Sequence, residues 1–163
     1  MLHQFLLNLA TFFSIGKISK APGTVATLAT IPVWYLLAQT GSFIYMVVTF
    51  LLFPIGVWAA QTYEDQSATH DSKEIVIDEV VGFLITMVWL PVTWQSAVLG
   101  FVLFRFFDIV KPPPIRQIDK KIPGGFGVMA DDVVAGIISS ILMQLIYNQT
   151  NWLGIQISTL TAH

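Results

Sequence analysis

The ionisable residues of this chain are confined to three stretches. All eight Lys and Arg and all ten Asp and Glu fall within Lys17 to Lys20, Glu64 to Glu79 and Arg105 to Asp132, so 21–63, 80–104 and 133–163 carry no charge. A charged side chain at the centre of a bilayer costs about 2.5–3.5 kcal/mol even on the lenient insertion scale. Neutral runs of this length point to lipid as the solvent for most of the molecule. The composition agrees, since only 11% of the 163 residues are charged, against roughly 25% in a soluble domain.

A spanning helix takes about 20 residues. The 21–63 run has room for two, Val25–Gln39 and Phe43–Ala60, with Thr40, Gly41 and Ser42 as the turn between them. The 80–104 run is broken at Pro91-Val92-Thr93-Trp94. At about 1.5 Å per residue Val80–Leu90 covers only half a bilayer, and the run reads as a second, shallow hairpin that returns from about Gln95 to Lys111. Val133–Tyr147 supplies the last crossing, with Asn148, Gln149, Thr150 and Asn151 as a polar tail. The expected fold is all-α, one domain over 1–163, an integral membrane helical bundle of two helical hairpins and a C-terminal membrane helix. Two hairpins bring the three charged stretches to one face, which the positive-inside rule assigns to the cytoplasm. One kinked crossing over 80–111 is the competing topology and would separate Asp78 from Asp108 by the thickness of the membrane.

At the N-terminus Phe5, Leu6, Leu9, Phe12 and Phe13 recur near helical spacing, with His3, Gln4 and Asn8 between them. That pattern suits a helix lying in the interface or an ordinary packing helix. Neither a basic leader nor a small-residue cleavage site marks it as a secretory signal, so it is expected to be retained.

A net charge of −2 gives no basic footprint for nucleic acid. The absence of cysteine removes disulfides, thiolate metal sites and cysteine nucleophiles. The remaining chemistry is that of oxygen and nitrogen groups, and carboxylates dominate it: Asp71, Asp78 and Glu79 in the second charged stretch, then Asp108, Asp131 and Asp132 in the third. Six acids on one face repel one another unless cations neutralise them, and carboxylates with few histidines suit Mg²⁺ or Mn²⁺ rather than zinc. Capping is the plainer role for Asp131 and Asp132 before one apolar helix and for Asp78 and Glu79 at the start of another. Two such pairs together with Asp108 favour a metal site. Arg105, Asp108 and Lys111 recur every three residues, which makes a basic–acidic–basic strip on one side of a helix that Pro112-Pro113-Pro114 terminates. Such cations match phosphate oxygens, or else form an intrahelical ion pair.

Arg116, Lys120 and Lys121 suit attraction to anionic headgroups. His70 is a possible proton carrier or a solvated loop histidine. Gly124-Gly125-Phe126-Gly127 reads as a flexible turn, and Ala21-Pro22-Gly23-Thr24 as a tight turn before a membrane helix, its hydroxyl either a cap or phosphate-facing.

Taken in order, Ala21-Pro22-Gly23-Thr24, the run Ile75-Val76-Ile77-Asp78-Glu79-Val80-Val81-Gly82, the run from Phe104-Arg105 through Phe107-Asp108 to Lys111-Pro112-Pro113-Pro114-Ile115, and the run from Gly124-Gly125-Phe126-Gly127 through Asp131-Asp132 to Gly136 resemble phosphatidylglycerophosphatase A. The resemblance extends over about residues 14 to 147. It implies a Mg²⁺-dependent, multi-pass enzyme of the bacterial inner membrane that removes the terminal phosphate of phosphatidylglycerophosphate to give phosphatidylglycerol. Carried over by position, the catalytic candidates are Asp71, Asp78, Glu79, Asp108, Asp131 and Asp132. Asp78, Glu79, Asp108 and Asp132 are the metal candidates, and Arg105, Lys111 and Thr24 face the substrate. The sequence departs from the family pattern at Ala26-Thr27, where a Gly-Ser pair is usual. A metal would polarise the phosphoryl group and activate water, while an aspartyl-phosphate intermediate is the alternative. A small membrane cation-binding or transport protein is the reading from another class, and it requires the paired acids to lie at mid-bilayer.

The one-face topology has a direct test. Single cysteines at Ser19, Ser72 and Gln117 should react with an impermeant reagent from one side of the membrane and a cysteine at Asn151 from the other. Labelling of Ser72 and Gln117 from opposite sides would exclude a single shared site.

Overall fold

The computed structural model describes residues 1–18, 20–68 and 72–154, and of Lys120 the backbone alone. Eight helices and no strand occur among these residues. α3 (Pro22–Ala38) opens on a proline, whose fixed φ and missing N–H suit the first helical position. It turns through Gly41, φ 94°, into α4 (Ser42–Ser67). α5 (Ile77–Thr86) and α6 (Trp94–Val110) follow, the latter capped by the Thr93 hydroxyl, which accepts from Ser96 N–H at 3.2 Å. The short α7 (Ile115–Lys121) leads into α8 (Gly124–Gln149). α4 and α8, 26 residues each, are long and apolar enough to cross a membrane, at about 39 Å apiece from the 1.5 Å rise. α3 is a shorter apolar helix of 17 residues.

The N-terminal α1 (Leu2–Ala10) buries Leu6, Leu7, Leu9 and Ala10 and packs on α4, leaving Leu2 and Phe5 exposed. A one-turn α2 (Ile15–Ile18) joins it to the start of α3.

The 77–110 segment folds back on itself, because Glu79 in the first turn of α5 and Arg105 near the end of α6 approach to 3.6 Å. A single kinked crossing does not describe it. Nor is the hairpin shallow: α6 equals α3 in length, and Met87, Trp89, Leu90 and Val92 line a small cavity with Ala38 and Ser42 at the α3–α4 turn. α5 supplies ten residues of that depth and irregular backbone supplies the rest. Irregular backbone inside a membrane protein persists only where protein groups satisfy it. Here Tyr45 on α4 donates its O–H to the Leu84 carbonyl at 2.6 Å, Gln144 on α8 donates to the Val88 carbonyl at 2.8 Å, and Thr93 donates to the Leu153 carbonyl at 2.8 Å.

α8 begins nine residues before Val133, so Gly124 to Gly127 form its first turn and not a flexible loop. The glycines are there for contact: a Cβ on Gly125 would stand 2.5 Å from the Gln61 backbone nitrogen, and Gly125 N–H donates to Gln61 Oε1 at 2.9 Å. Asp131 and Asp132 consequently sit about two turns inside α8 and do not cap it. α5 is the innermost helix, with Val81, Phe83 and Leu84 wholly buried. It meets α8 at Gly82 and Gly136, where a Cβ on Gly136 would stand 2.5 Å from the Gly82 carbonyl oxygen and one on Gly82 2.8 Å from that of Asp132. Small residues let helix backbones approach in this way.

Gly136→Val should therefore separate α5 from α8, lowering stability by about 1–3 kcal/mol through overpacking and abolishing activity, while Ile137→Val on the exposed side should do neither. Thermal unfolding in detergent checks this, and an unchanged midpoint for Gly136→Val would refute the contact.

Candidate active site

The N-terminal turns of α3 and α5, the C-terminal end of α6, α7 and the second and third turns of α8 enclose a polar cavity of about 630 Å³. Thr24, Asp78, Glu79, Arg105, Asp108, Lys111, Asp131 and Asp132 all line it, so eight of the nine candidates read from the sequence are brought together. The ninth, Asp71, lies outside the described residues, as does His70. Lys73 and Asp119 also line the cavity and were not singled out by sequence reasoning.

Asp78 and Glu79 lie in the first turn of α5, where the helix dipole favours negative charge. Asp132 approaches them from α8 because Gly82 and Gly136, one turn beyond Asp78 and Asp132 respectively, hold the two helices in contact. One carboxylate oxygen from each of Asp78, Glu79 and Asp132 lies within 4.8 Å of the others. Burial, with the neighbouring Glu79 and Asp132 carboxylates, pushes the Asp78 carboxyl well above the ordinary aspartate range, and burial likewise raises Glu79. Asp78 Oδ1, Glu79 Oε2 and Asp132 Oδ2 are buried without a hydrogen-bond partner. Unpaired buried acceptors of like charge are costly, and a hard divalent cation with oxygen ligands relieves both defects. The donor set fits Mg²⁺.

Asp108 stands apart from this trio. It adjoins Asp132 but forms an ion pair with Arg105, three residues earlier on α6, while the same guanidinium lies 3.6 Å from Glu79 Oε1. Arg105 is thus held between two acids, with its Nε buried and unpartnered. Gly23 lets α3 close on the pair, since a Cβ there would overlap the Glu79 carboxylate. Lys111, left-handed at the end of α6 with φ 44°, reaches Asp119 on α7 at 2.8 Å and Asp131 on α8 at 2.5 Å. Burial works against its charged form, but the bonds to Asp119 and Asp131 outweigh it and raise its pKa above the usual lysine value. Asp131 is therefore a partner for Lys111, and Asp119 completes the clasp. Asp119 was missed because nothing in its local sequence shows that α7 folds back to face the end of α6. Arg116 and Lys121 are exposed.

Removing Lys111 strands the nearly buried Asp131. Lys111→Met should lower stability by about 2 kcal/mol, below the 3–5 kcal/mol of a fully buried pair because the lysine is partly solvated. Adding Asp131→Asn should recover part of the loss. Thermal melts of the single and double variants decide it, and a double variant less stable than Lys111→Met would contradict the pairing.

The phosphatidylglycerophosphatase A family model matches residues 8–147. Phosphatidylglycerophosphatase A of Escherichia coli (strain K12) is 41% identical over 139 residues, covering 85% of this chain and 81% of the relative. The protein of the same name from Haemophilus influenzae is 43% identical over 137 residues, covering 83% and 84%. A Bacteroides thetaiotaomicron protein, provisionally named a phosphatidylinositol-3-phosphatase, is 37% identical over 143 residues, covering 83% and 89%. No solved structure matches the chain significantly. The match over most of the chain, including every motif that builds the cavity, places the protein in the phosphatidylglycerophosphatase A family of phosphatases.

Proposed function

We propose that this enzyme is a Mg²⁺-dependent, multi-pass phosphatase of the bacterial inner membrane that hydrolyses the terminal phosphate of phosphatidylglycerophosphate at its cytoplasmic face, giving phosphatidylglycerol. The observation that carries the reading is the cavity itself, in which buried, unpartnered oxygens of Asp78, Glu79 and Asp132 lie beside Arg105 and Lys111. The relatives' names supply the substrate.

Asp78, Glu79 and Asp132 would hold the cation, with Asp108 at the edge of the set. When bound, Mg²⁺ would neutralise the acids and draw electron density from the phosphoryl oxygens. Arg105, fixed by Glu79 and Asp108, binds phosphate and stabilises charge as it develops in transfer, and Lys111 adds a second positive charge at the rim. Thr24, at the start of α3, orients the phosphate. Water adds to phosphorus, the bond to the glycerol oxygen breaks, and the departing alkoxide takes a proton. A cavity carboxylate receives the proton of the attacking water, or in the alternative route attacks phosphorus first, expelling the glycerol oxygen, after which water cleaves the acyl phosphate to release phosphate and restore the carboxylate. The alternative of a cation carrier needs its acids along a pathway at mid-bilayer. These acids instead gather at one end of the bundle, around the start of α5 and the end of α6.

Purified protein should release phosphate from phosphatidylglycerophosphate in mixed micelles faster than from phosphatidylinositol 3-phosphate or glycerol 3-phosphate, with the lipid product identified by mass. Chelator should stop turnover and Mg²⁺ restore it. Asp78→Asn and Asp132→Asn should each lose at least about a hundredfold in rate, near 2.7 kcal/mol of barrier, while remaining folded. Full activity without divalent cation would overturn the metal assignment, and equal rates on the three substrates would overturn the lipid preference.

A further inference from the structure

The two helices that flank the polar cavity also flank a second one of opposite character. α3 and α6 are antiparallel: Pro22 to Thr24 and Arg105 to Ile109 are at the polar end, whereas Ile31 and Tyr35 on α3 and Trp94 and Ala97 on α6 line an almost wholly apolar cavity of about 450 Å³ toward the other end. The residues between form continuous stripes. Thr24, Leu28, Ile31 and Tyr35 recur at i, i+4, i+7 and i+11 on one face of α3, and Trp94, Ala97, Phe101 and Arg105 recur at i, i+3, i+7 and i+11 on one face of α6, spacings that share a helix face. Leu28 is exposed and Phe101 only half-buried.

From Thr24 the helical rise of 1.5 Å puts Ile31 about 10 Å and Tyr35 about 16 Å away along the axis. Half of a hydrocarbon core of about 30 Å is close to 15 Å, the reach of an acyl chain from headgroup to midplane. A polar cavity joined by one pair of helix faces to an apolar cavity at this separation has the layout of an amphiphile.

We propose that the α3–α6 face is an acyl-chain subsite, on which the substrate lays one fatty chain toward Ile31, Tyr35 and Ala97 while its phosphomonoester occupies the polar cavity. This rests on the lipid-phosphatase reading above. Lipid tails are as apolar as leucine, so exchanging a neighbouring lipid for the substrate chain yields little hydrophobic energy. The subsite acts by orientation, fixing the headgroup over Asp78, Asp132 and Arg105.

The chain contains no cysteine, so a bulky aliphatic maleimide can be attached at one chosen position after folding. Tyr35→Cys, at a half-exposed side chain, is compared before and after alkylation with Ile137→Cys on the outer side of α8. Phosphatidylglycerophosphate bearing sixteen-carbon chains and its six-carbon homologue serve as substrates. Alkylated Tyr35→Cys should lose about tenfold in rate on the long-chain lipid, an orientation loss, and keep its rate on the short-chain one, with Ile137→Cys unchanged on both. A second measurement needs no variant: phosphatidylglycerophosphate with a diazirine at its chain end should label segments 28–35 and 94–101, and unlabelled substrate but not phosphatidylcholine should suppress it. Labelling spread over the outer faces of α4 and α8, or equal effects of alkylation on both chain lengths, would overturn the subsite while leaving the phosphatase reading intact. Failure of the unmodified enzyme to release phosphate at either chain length would sink both.

Discussion

Mutual repulsion among acids governs the architecture of this protein. Two like charges 4 Å apart repel by about 4 kcal/mol at an effective dielectric of 20, and among the described residues six carboxylates share the polar cavity with three cations, Lys73, Arg105 and Lys111. The fold divides the problem. Arg105 lies between Glu79 and Asp108, and Lys111 between Asp119 and Asp131. Asp78 and Asp132 are left facing each other near the start of α5 with oxygens that no protein group answers. Arg105–Asp108 lies within α6, but Arg105–Glu79 links α5 to the end of α6 and Lys111 links α6 to both α7 and α8, so groups that manage the charge also fasten the cytoplasmic ends proposed for the helices.

The other end of the bundle answers a different demand. α5 is too short to match its neighbours, and its backbone continues as irregular chain inside the protein. Tyr45 and Gln144 supply hydrogen bonds to its carbonyls that a longer helix would have made for itself. Polar side chains in otherwise apolar helices thus have structural work away from the chemistry. What the protein gains is a central helix whose N-terminus carries two acids and whose flanks are covered by α3, α4, α6 and α8.

Much of this was legible in the sequence because lipid is a strict solvent. The segregation of charge located the neutral helices and the shared polar end, and Gly41 and Pro91 marked the two turns. The acids of the cavity were legible because few other ionisable groups compete for attention. What stayed hidden was set by contacts between distant segments. The Gly124 to Gly127 run has the composition of a loop, yet it forms the first turn of α8 packed closely on α4, where Gly125 N–H donates to the Gln61 side chain. Capping stood as the plainer alternative for Asp131 and Asp132 for the same reason, since the earlier start of α8 places them two turns inside it. Asp119 gained its role from the return of α7 toward Lys111, a contact between residues eight apart that a continuous helix would hold about 12 Å apart along its axis. The depth of the second hairpin was underestimated because Val80–Leu90 was measured at helical rise throughout, whereas the chain beyond Thr86 is irregular.

The glycine contact between α5 and α8 carries one more consequence. Gly82 and Gly136 stand one turn from Asp78 and Asp132, so backbone resting on backbone sets how far apart the two helices stand where those acids project. Under the metal reading proposed above, that contact acts as a gauge on the width of the site. Mg²⁺ accepts ligands at 2.0–2.1 Å and tolerates little distortion, whereas Ca²⁺ prefers 2.3–2.6 Å and more oxygens. A rigid gauge would sort these two ions of equal charge by radius.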